Sequence, residues 1–474
     1  MQTSKKCFSF DPLRARLEAD NAPTLLIRHM ERAHAHLAEG ATGLMDRSMI
    51  EPVETLPKLS DLDIYADCGR AALPQTLVIK LNGGLGTSMG LQQAKSLLEV
   101  REGLSFLDIV IRQIQHLRNA HQAAIPLLFM NSFATRSDTL DVLGRYPELE
   151  KGQAGLPFDF VQHRIPKLRA NTLEPVSYPE DPTLEWCPPG HGDLYLCLQT
   201  TGLLAQLLDR GYRYAFISNV DNLGAALDMR ILGWMAEKNH PFIMEATART
   251  VMDRKGGHLA QKADDGLVLR ESAQCPADEV EEFQDIARYR YFNTNNIWVD
   301  LTALKAKLES VQGVMPLPLM VNRKTVNPRD ASSTPVIQLE TAMGSAISIM
   351  EQAVALDVPR KRFAPVKTTE DLLVLRSDAY ILTEHQHVVR DPRRQGPPPD
   401  IRLDSAYYKM VHDFERRFPH GAPSLLECDE LRVEGDVTFG RDTIVKGRAR
   451  ITHTGPGNGC IADRAVLSGH MHVE

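Results

Sequence analysis

Four glycines, Gly83, Gly84, Gly86 and Gly90, fall within eight residues of this 474-residue chain. They follow the apolar run Thr76–Ile79 and precede Lys95 and Ser96. Glycines let backbone N–H groups close on phosphate oxygens, and a following lysine can neutralise their charge. The loop is not a P-loop, because Lys95 follows Ala94 and lies five residues past Gly90. Nor is it a clean dinucleotide fingerprint, since Met89 stands where a third glycine belongs. A tight turn without a ligand is the plain alternative.

Four other loops carry similar chemistry. In "ISNVDNLGA", Asp221 follows an apolar strand and is flanked by Asn219 and Asn222. A carboxylate there suits Mg²⁺, which takes one or two carboxylates plus phosphate oxygens; an Asx-turn is the alternative. In "EWCPPGHGDLYL", prolines stiffen the approach to His191, which sits between Gly190 and Gly192. Such a histidine could donate to a phosphate or simply occupy a surface turn. "RYFNTNNIWVDL" places three asparagines among apolar residues, where their amides need partners, either sugar hydroxyls or backbone. Lys367 precedes "TTED", a plausible helix start, and a lysine beside a positive helix end suits a phosphate. Together the five loops ask for a ligand with phosphates, a metal and a sugar.

These loops need a frame. Residues 1–75 read as helical and polar. From Thr76, "TLVIKL", "IPLLFMNS", "YRYAFISN" and "PFIMEATART" read as strands alternating with helices. In "SFLDIVIRQIQHLRNA", Ser105 is a candidate N-cap with Asp108 three residues on, and Leu107, Val110, Ile111, Ile114 and Leu117 recur with helical period. This alternation predicts parallel βαβ units in a doubly wound α/β sheet, with ligands at the carboxyl ends of its strands. The catalytic domain is expected over 76–383. "RDPRRQGPPPD" reads as a linker or exposed connection, opening a C-terminal region over 384–474. From Leu431, short β-branched pieces alternate with glycine turns, which suggests β-helix rungs or a pair of hairpins. Two rungs would need a cover, from the catalytic domain or a second subunit.

Composition narrows the classes. The chain is 43% hydrophobic and 24% charged, with net charge −7, which argues against a general nucleic-acid binder. No apolar run reaches membrane-spanning length, and the first residues lack the apolar core of a secretory leader. Seven scattered cysteines form no C-x-x-C, so reduced thiols and a cytoplasmic setting are expected.

The blocks "KLNGGLGTSMG", "PPGHGD", "DNLGA", "FNTNN", "QLETAMGSAI", "VPRKRFAPVKTT" and "GDVTFG" occur in this order. Together they resemble the eukaryotic-type UTP–glucose-1-phosphate uridylyltransferase family over about residues 76–450. The resemblance implies a GT-A-like nucleotidyltransferase domain with a C-terminal left-handed parallel β-helix. It implies UTP and glucose 1-phosphate as substrates, Mg²⁺ as cofactor, and a possible homo-oligomer through the β-helix. By the same resemblance, Leu81, Asn82, Gly83 and Gly84 form the nucleotide loop, and Lys95 contacts the UTP phosphates. Gln162 reads the uracil edge, Gly190 lies against uridine, and Asn219, Val220 and Asp221 meet the ribose and the metal, with Asp221 as ligand. Gly84, His191, Asn222, Asn295 and Glu340 contact the sugar phosphate, and Lys367 acts with Lys95 in catalysis. Two segments depart from the family pattern: Val220 stands where serine is usual, and Leu91-Gln92-Gln93-Ala94 replaces a more basic, glycine-containing stretch. A different sugar 1-phosphate, a non-catalytic nucleotide-binding scaffold and a nicotinamide-dependent dehydrogenase are the competing readings.

Overall fold

The computed structural model describes residues 8–250, 253–254, 256–262 and 266–473; Cys7 lies outside them. A ten-stranded sheet forms the centre. Its parallel part runs in the order Asp159–Val161, Leu127–Asn131, Thr76–Asn82, Tyr214–Asn219. Every residue of Thr76–Asn82 is buried, as a strand covered on both faces requires. The expected run of parallel neighbours is interrupted there and resumes where Val354–Asp357 pairs parallel with Phe242–Ala248. Tyr291–Asp300, the asparagine-rich segment, pairs antiparallel with Tyr214–Asn219, and Phe242–Ala248 pairs antiparallel with it in turn. The reason is the connection. After Phe242–Ala248 the chain makes a hairpin, His258–Lys262 with Leu267–Arg270, and passes a short α-helix, Val280–Phe283, before it returns antiparallel as Tyr291–Asp300. The sheet is therefore mixed, with a parallel core.

The helix Phe106–His121 begins where its sequence says. Ser105 accepts the Asp108 N–H at 3.2 Å, and the Asp108 carboxylate accepts the Ser105 N–H at 2.9 Å, closing a capping box. Leu107, Val110, Ile111 and Ile114 turn inward. The N-terminal residues join the body of the protein. Ile50–Pro52 pairs with His258–Lys262 in the main sheet. Ala66–Ala72 meets Met229–Lys238 so closely that a Cβ on Gly69 would lie 1.8 Å from the Met229 carbonyl oxygen. Helices Asp11–Ala19 and Thr24–Ala38 share an apolar cluster with Ile165, Leu168, Cys187 and Leu339.

The C-terminal region is a ladder of parallel strands. Asp400–Leu403, Cys428–Glu434, Ile444–Thr452 and Val466–His472 pair in that order, and Val437–Thr438 pairs parallel with Gly459–Cys460 alongside. Parallel pairing excludes the hairpin alternative, in which neighbours would run antiparallel. Leu431, Val433, Val445, Ile451 and Leu467 belong to the same apolar core as Leu59, Val78 and Phe106. One core thus joins the N-terminal, central and C-terminal segments. The proline-rich connection is exposed at residues 395–398 but pinned beside them: the buried Arg394 guanidinium donates to the carbonyls of Pro397, Leu425 and Leu426. Among the described residues, no helix is long and apolar enough to cross a membrane, and six cysteines are free thiols.

Candidate functional site

The glycine loop leaves the carboxyl end of Thr76–Asn82. Side chains up to this point face the protein. Leu81 is packed in the core, and the Asn82 amide donates to Asn131 Oδ1 and Thr139 Oγ1, each at 2.8 Å. Beyond it the chain opens. A Cβ on Gly84 would meet nothing within 4 Å, so this backbone is bare to the cleft. Gly83 has the opposite reason to be glycine: a Cβ there would lie 2.7 Å from Gln162 Nε2. The loop and the predicted base reader are therefore in direct apposition. Gly86 holds φ +63°, and the Lys95 N–H donates to the Gly84 carbonyl at 3.0 Å, folding the loop so that Lys95 returns to its mouth. The divergent stretch stays at the edge: Gln92 and Gln93 are exposed, while Ala94 is buried.

Lys95 Nζ lies 2.5 Å from Asp221 Oδ2 and also donates to the Val366 carbonyl. One ammonium thereby ties three loops: its own, the Asp221 loop and the Lys367 loop. Both charged side chains keep some exposure, 15% and 18%. Val220 turns the other way, 5% exposed within the core, so the departure from serine fills apolar space rather than facing the cleft. Lys367 is exposed, and its Nζ lies 5.8 and 6.0 Å from the ring centres of Phe292 and Phe363. Its main chain is fixed by the following helix, Thr369–Arg376, whose capping box joins Thr368 and Asp371.

Gly190, at φ +81°, presses on the strand Pro335–Thr341; a Cβ would lie 2.5 Å from the Thr341 carbonyl oxygen and 3.1 Å from Glu340 Cβ. Gly190 and Glu340 are thus neighbours. His191 Nδ1 accepts the Met343 N–H at 3.0 Å, which leaves the ring proton on Nε2. Burial pushes this imidazole down to about 4, so it is a neutral N–H donor. Asn295 sits at φ +57° where the pairing of Tyr291–Asp300 with Phe242–Ala248 slips, a bulge that turns it out of the ladder. Asn222 is placed differently. Only 1% exposed, its amide donates to Asn296 Oδ1 and the Arg362 carbonyl and accepts the Ala364 N–H. That side chain is committed to the protein.

Behind these loops lies a group the sequence did not announce. Arg362 grips Glu245 with two bonds of 2.6 and 2.7 Å and reaches the Ala226 carbonyl. Glu245 also accepts from Trp298 Nε1 and Asn296 Nδ2. Lys80 is buried too, donating to Ser218 Oγ at 2.7 Å and the Ala225 carbonyl at 3.0 Å. Burial first, then the nearby Arg362 guanidinium, push it down to about 7. A charged residue inside the apolar strand "TLVIKL" is the sequence signal for Lys80; Glu245 in "PFIMEATART" carries the same one.

The family model for UTP–glucose-1-phosphate uridylyltransferase matches residues 29–446. The chain belongs to this family. The UTP–glucose-1-phosphate uridylyltransferase of Saccharomyces cerevisiae is 41% identical over 408 residues, 85% of this chain and 79% of the yeast protein. That of Solanum tuberosum is 39% identical over 423 residues, 88% of this chain and 85% of its own. Among solved structures, a UDP-glucose phosphorylase from Trypanosoma brucei superposes with TM-score 0.89 at 45% identity, covering 98% of this chain and 99% of that one. A mutant UDP-glucose pyrophosphorylase from Leishmania major in complex with UDP-glucose gives 0.92 at 42% identity, covering 98% and 100%.

The uridylyltransferase site can be tested for a metal on its own donors. Asp221 is a single, partly exposed carboxylate balanced by one lysine. Among the described residues, the trio of His, Cys and carboxylate groups with ligand atoms within 4.8 Å of one another, His163, Asp193 and Cys197, does not include it. A lone carboxylate fits Mg²⁺ carried in on substrate phosphates, not an ion caged by protein.

Proposed function

We propose that this protein transfers the uridylyl group of UTP to glucose 1-phosphate, forming UDP-glucose and releasing pyrophosphate. Membership of the uridylyltransferase family supports the reaction. The observation that carries the site is the Lys95 ammonium held between Asp221 and the Val366 carbonyl, at the mouth of an open glycine backbone. A phosphate oxygen of glucose 1-phosphate attacks the α-phosphorus of UTP in line. The bond from that phosphorus to the β-bridging oxygen breaks, and its electron pair leaves on pyrophosphate. The attacking oxygen is already anionic, so no general base and no covalent enzyme intermediate are needed. Catalysis then rests on bringing two polyanions together and offsetting charge at the α-phosphate.

In this reading the main chain of Leu81, Asn82, Gly83 and Gly84 cradles the nucleotide, and Gln162 reads uracil beside Gly83. Lys95 exchanges Asp221 for UTP phosphate, and Lys367 reaches the phosphates from the opposite loop. Gly190 and Asn219 border the uridine. His191 donates an Nε2–H hydrogen bond to the sugar phosphate, and Asn295 and Glu340 face the glucose hydroxyls. Asn222 and Val220 take positioning parts, since their side chains are turned inward. Mg²⁺, held by Asp221 and substrate phosphates, would neutralise phosphate oxygens of both substrates. We further read the fold as GT-A-like, with the C-terminal ladder as a left-handed β-helix whose last strand, Val466–His472, is the edge a second subunit could cover. Free thiols fit a cytoplasmic setting.

The test is pyrophosphate release from UTP with a panel of sugar 1-phosphates, with Mg²⁺ and with chelator. Glucose 1-phosphate should give the highest kcat/KM, and chelation should abolish release. No pyrophosphate from any sugar phosphate would leave a nucleotide-binding scaffold as the better reading.

A further inference from the structure

Asp193 ends the "PPGHGD" block, two residues after His191, and none of the roles above uses it. Its side chain is 1% exposed. A carboxylate so buried must be fully provided with donors. Three donors converge on it: the His163 main-chain N–H at 2.7 Å, His163 Nδ1 at 2.8 Å and Cys197 Sγ at 3.0 Å. Thr200 Oγ1 closes the far side of the ring, 3.2 Å from Nε2. Burial and the Asp193 charge push the Cys197 thiol well above its usual range, so it is an S–H donor. With its proton on Nδ1, His163 donates to Asp193 and accepts from Thr200, and every contact in the cluster is then a hydrogen bond.

The location gives the network its consequence. Asp159–Val161 is the last strand on its side of the sheet. The Gln162 N–H still bonds the Asn131 carbonyl at 2.8 Å, after which the chain leaves the ladder. The next N–H, that of His163, is the one Asp193 takes. Gln162 therefore stands between a sheet bond on one side and the Asp193 carboxylate on the other, with its amide against Gly83. We propose that Asp193 is a positioning residue for nucleobase recognition, fixing the 162–163 peptide so that the Gln162 amide meets the uracil edge. This rests on Gln162 as the base reader.

The experiment compares kcat/KM for UTP and CTP in the full-length protein and in Gln162→Ala, Asp193→Asn, His163→Ala and the double variant Gln162→Ala/Asp193→Asn, with Tm measured for each. Asp193→Asn should raise KM for UTP about tenfold, the size of one hydrogen bond to a charged group, with KM for glucose 1-phosphate little changed. UTP-over-CTP discrimination should fall toward that of Gln162→Ala. In the Gln162→Ala background the second substitution should add almost nothing, the signature of two residues acting as one unit. Independent, multiplying effects would overturn the proposal, as would unchanged discrimination in Asp193→Asn. Should Asp193→Asn fail to fold, His163→Ala, which keeps the main-chain N–H and loses the ring bond, should show a smaller loss of discrimination, and unchanged discrimination there would also overturn it. Intact discrimination in Gln162→Ala would instead remove the base-reader assignment itself.

Discussion

Two ion pairs flank the loop that carries Asp221. In front, Lys95 meets Asp221 at 2.5 Å; behind, Arg362 meets Glu245 at 2.6 Å. The chemistry is the same and the surroundings differ in degree of exposure and in the number of further bonds. The front pair is a single contact between side chains 15% and 18% exposed. The rear pair is bidentate, 8% and 0% exposed, and its carboxylate takes further bonds from Trp298 and Asn296. A lysine ammonium is a point charge on a flexible stem, able to trade one anion for another. A buried, forked arginine pair cannot trade without leaving a charge in an apolar interior. Front is thus suited to exchange with substrate, and rear to holding the loops that make the exchange possible.

The strongest way to break this contrast is Glu245→Ala. It leaves buried Arg362 with only the longer 3.8 Å ion pair to Asp228 and should cost about 3 kcal/mol of stability. Chemical denaturation measures it, and a loss near that of a surface pair would remove the rear pair from its structural role. Lys95→Ala comes next. It should reduce kcat/KM about 10²–10³-fold, as removal of one charge-stabilising donor does, with a clearly smaller loss of stability than Glu245→Ala. A large stability loss there would erase the distinction between the two pairs. Lys367→Ala should lower kcat by a similar factor and leave KM for glucose 1-phosphate within about threefold. Near-normal turnover would take Lys367 out of the mechanism.

The titrating groups sharpen the contrast by pH. His191 lies at about 4 in the folded protein, below its ordinary 6.5, so the unfolded chain binds the extra proton first. Its contribution to stability is complete above pH 6.5 and is lost as pH falls toward 4. Lys80 has the same sign higher up, with a folded value of about 7 against 10.5. Its contribution is complete above 10.5 and is lost between there and 7. Lys80→Met should flatten the second slope and His191→Gln the first, read from Tm across pH; slopes unchanged in both variants would contradict the burial described. The smallest effect belongs to Val220→Ser. Placing a hydroxyl in the core should cost about 1–2 kcal/mol and leave KM for UTP unchanged. A change in UTP affinity would show that position 220 touches the nucleotide after all.

Legibility in the sequence followed locality. The capping boxes at Ser105 and Thr368, the strand "TLVIKL" and the glycine loop could be read directly, because spacing within a few residues decides them. The insertion of Tyr291–Asp300 could not, because nothing local says which strands become neighbours. The sequence presented Asn222 as a candidate sugar contact; packing turned its amide inward, onto Asn296 and the backbone at Arg362 and Ala364. Glu245 and Arg362, 117 residues apart, show no mutual signal in the chain.

By itself the sequence pointed to a ligand with phosphates, a metal and a sugar, and the resemblance of its ordered blocks to the uridylyltransferase family supplied the reaction class. Residue types at short spacing, glycines then Lys95, Asn219 to Asp221, and His191 between glycines, are local facts, and phosphate chemistry constrains them locally. Only the tertiary structure decided which side of each loop faces the cleft. It set Lys95 between Asp221 and Val366, pressed Gln162 on Gly83, fixed the His191 proton on Nε2, and buried one ion pair while leaving its counterpart open. Those outcomes depend on solvent exposure and on contacts between residues far apart in the sequence, which only the packed chain supplies.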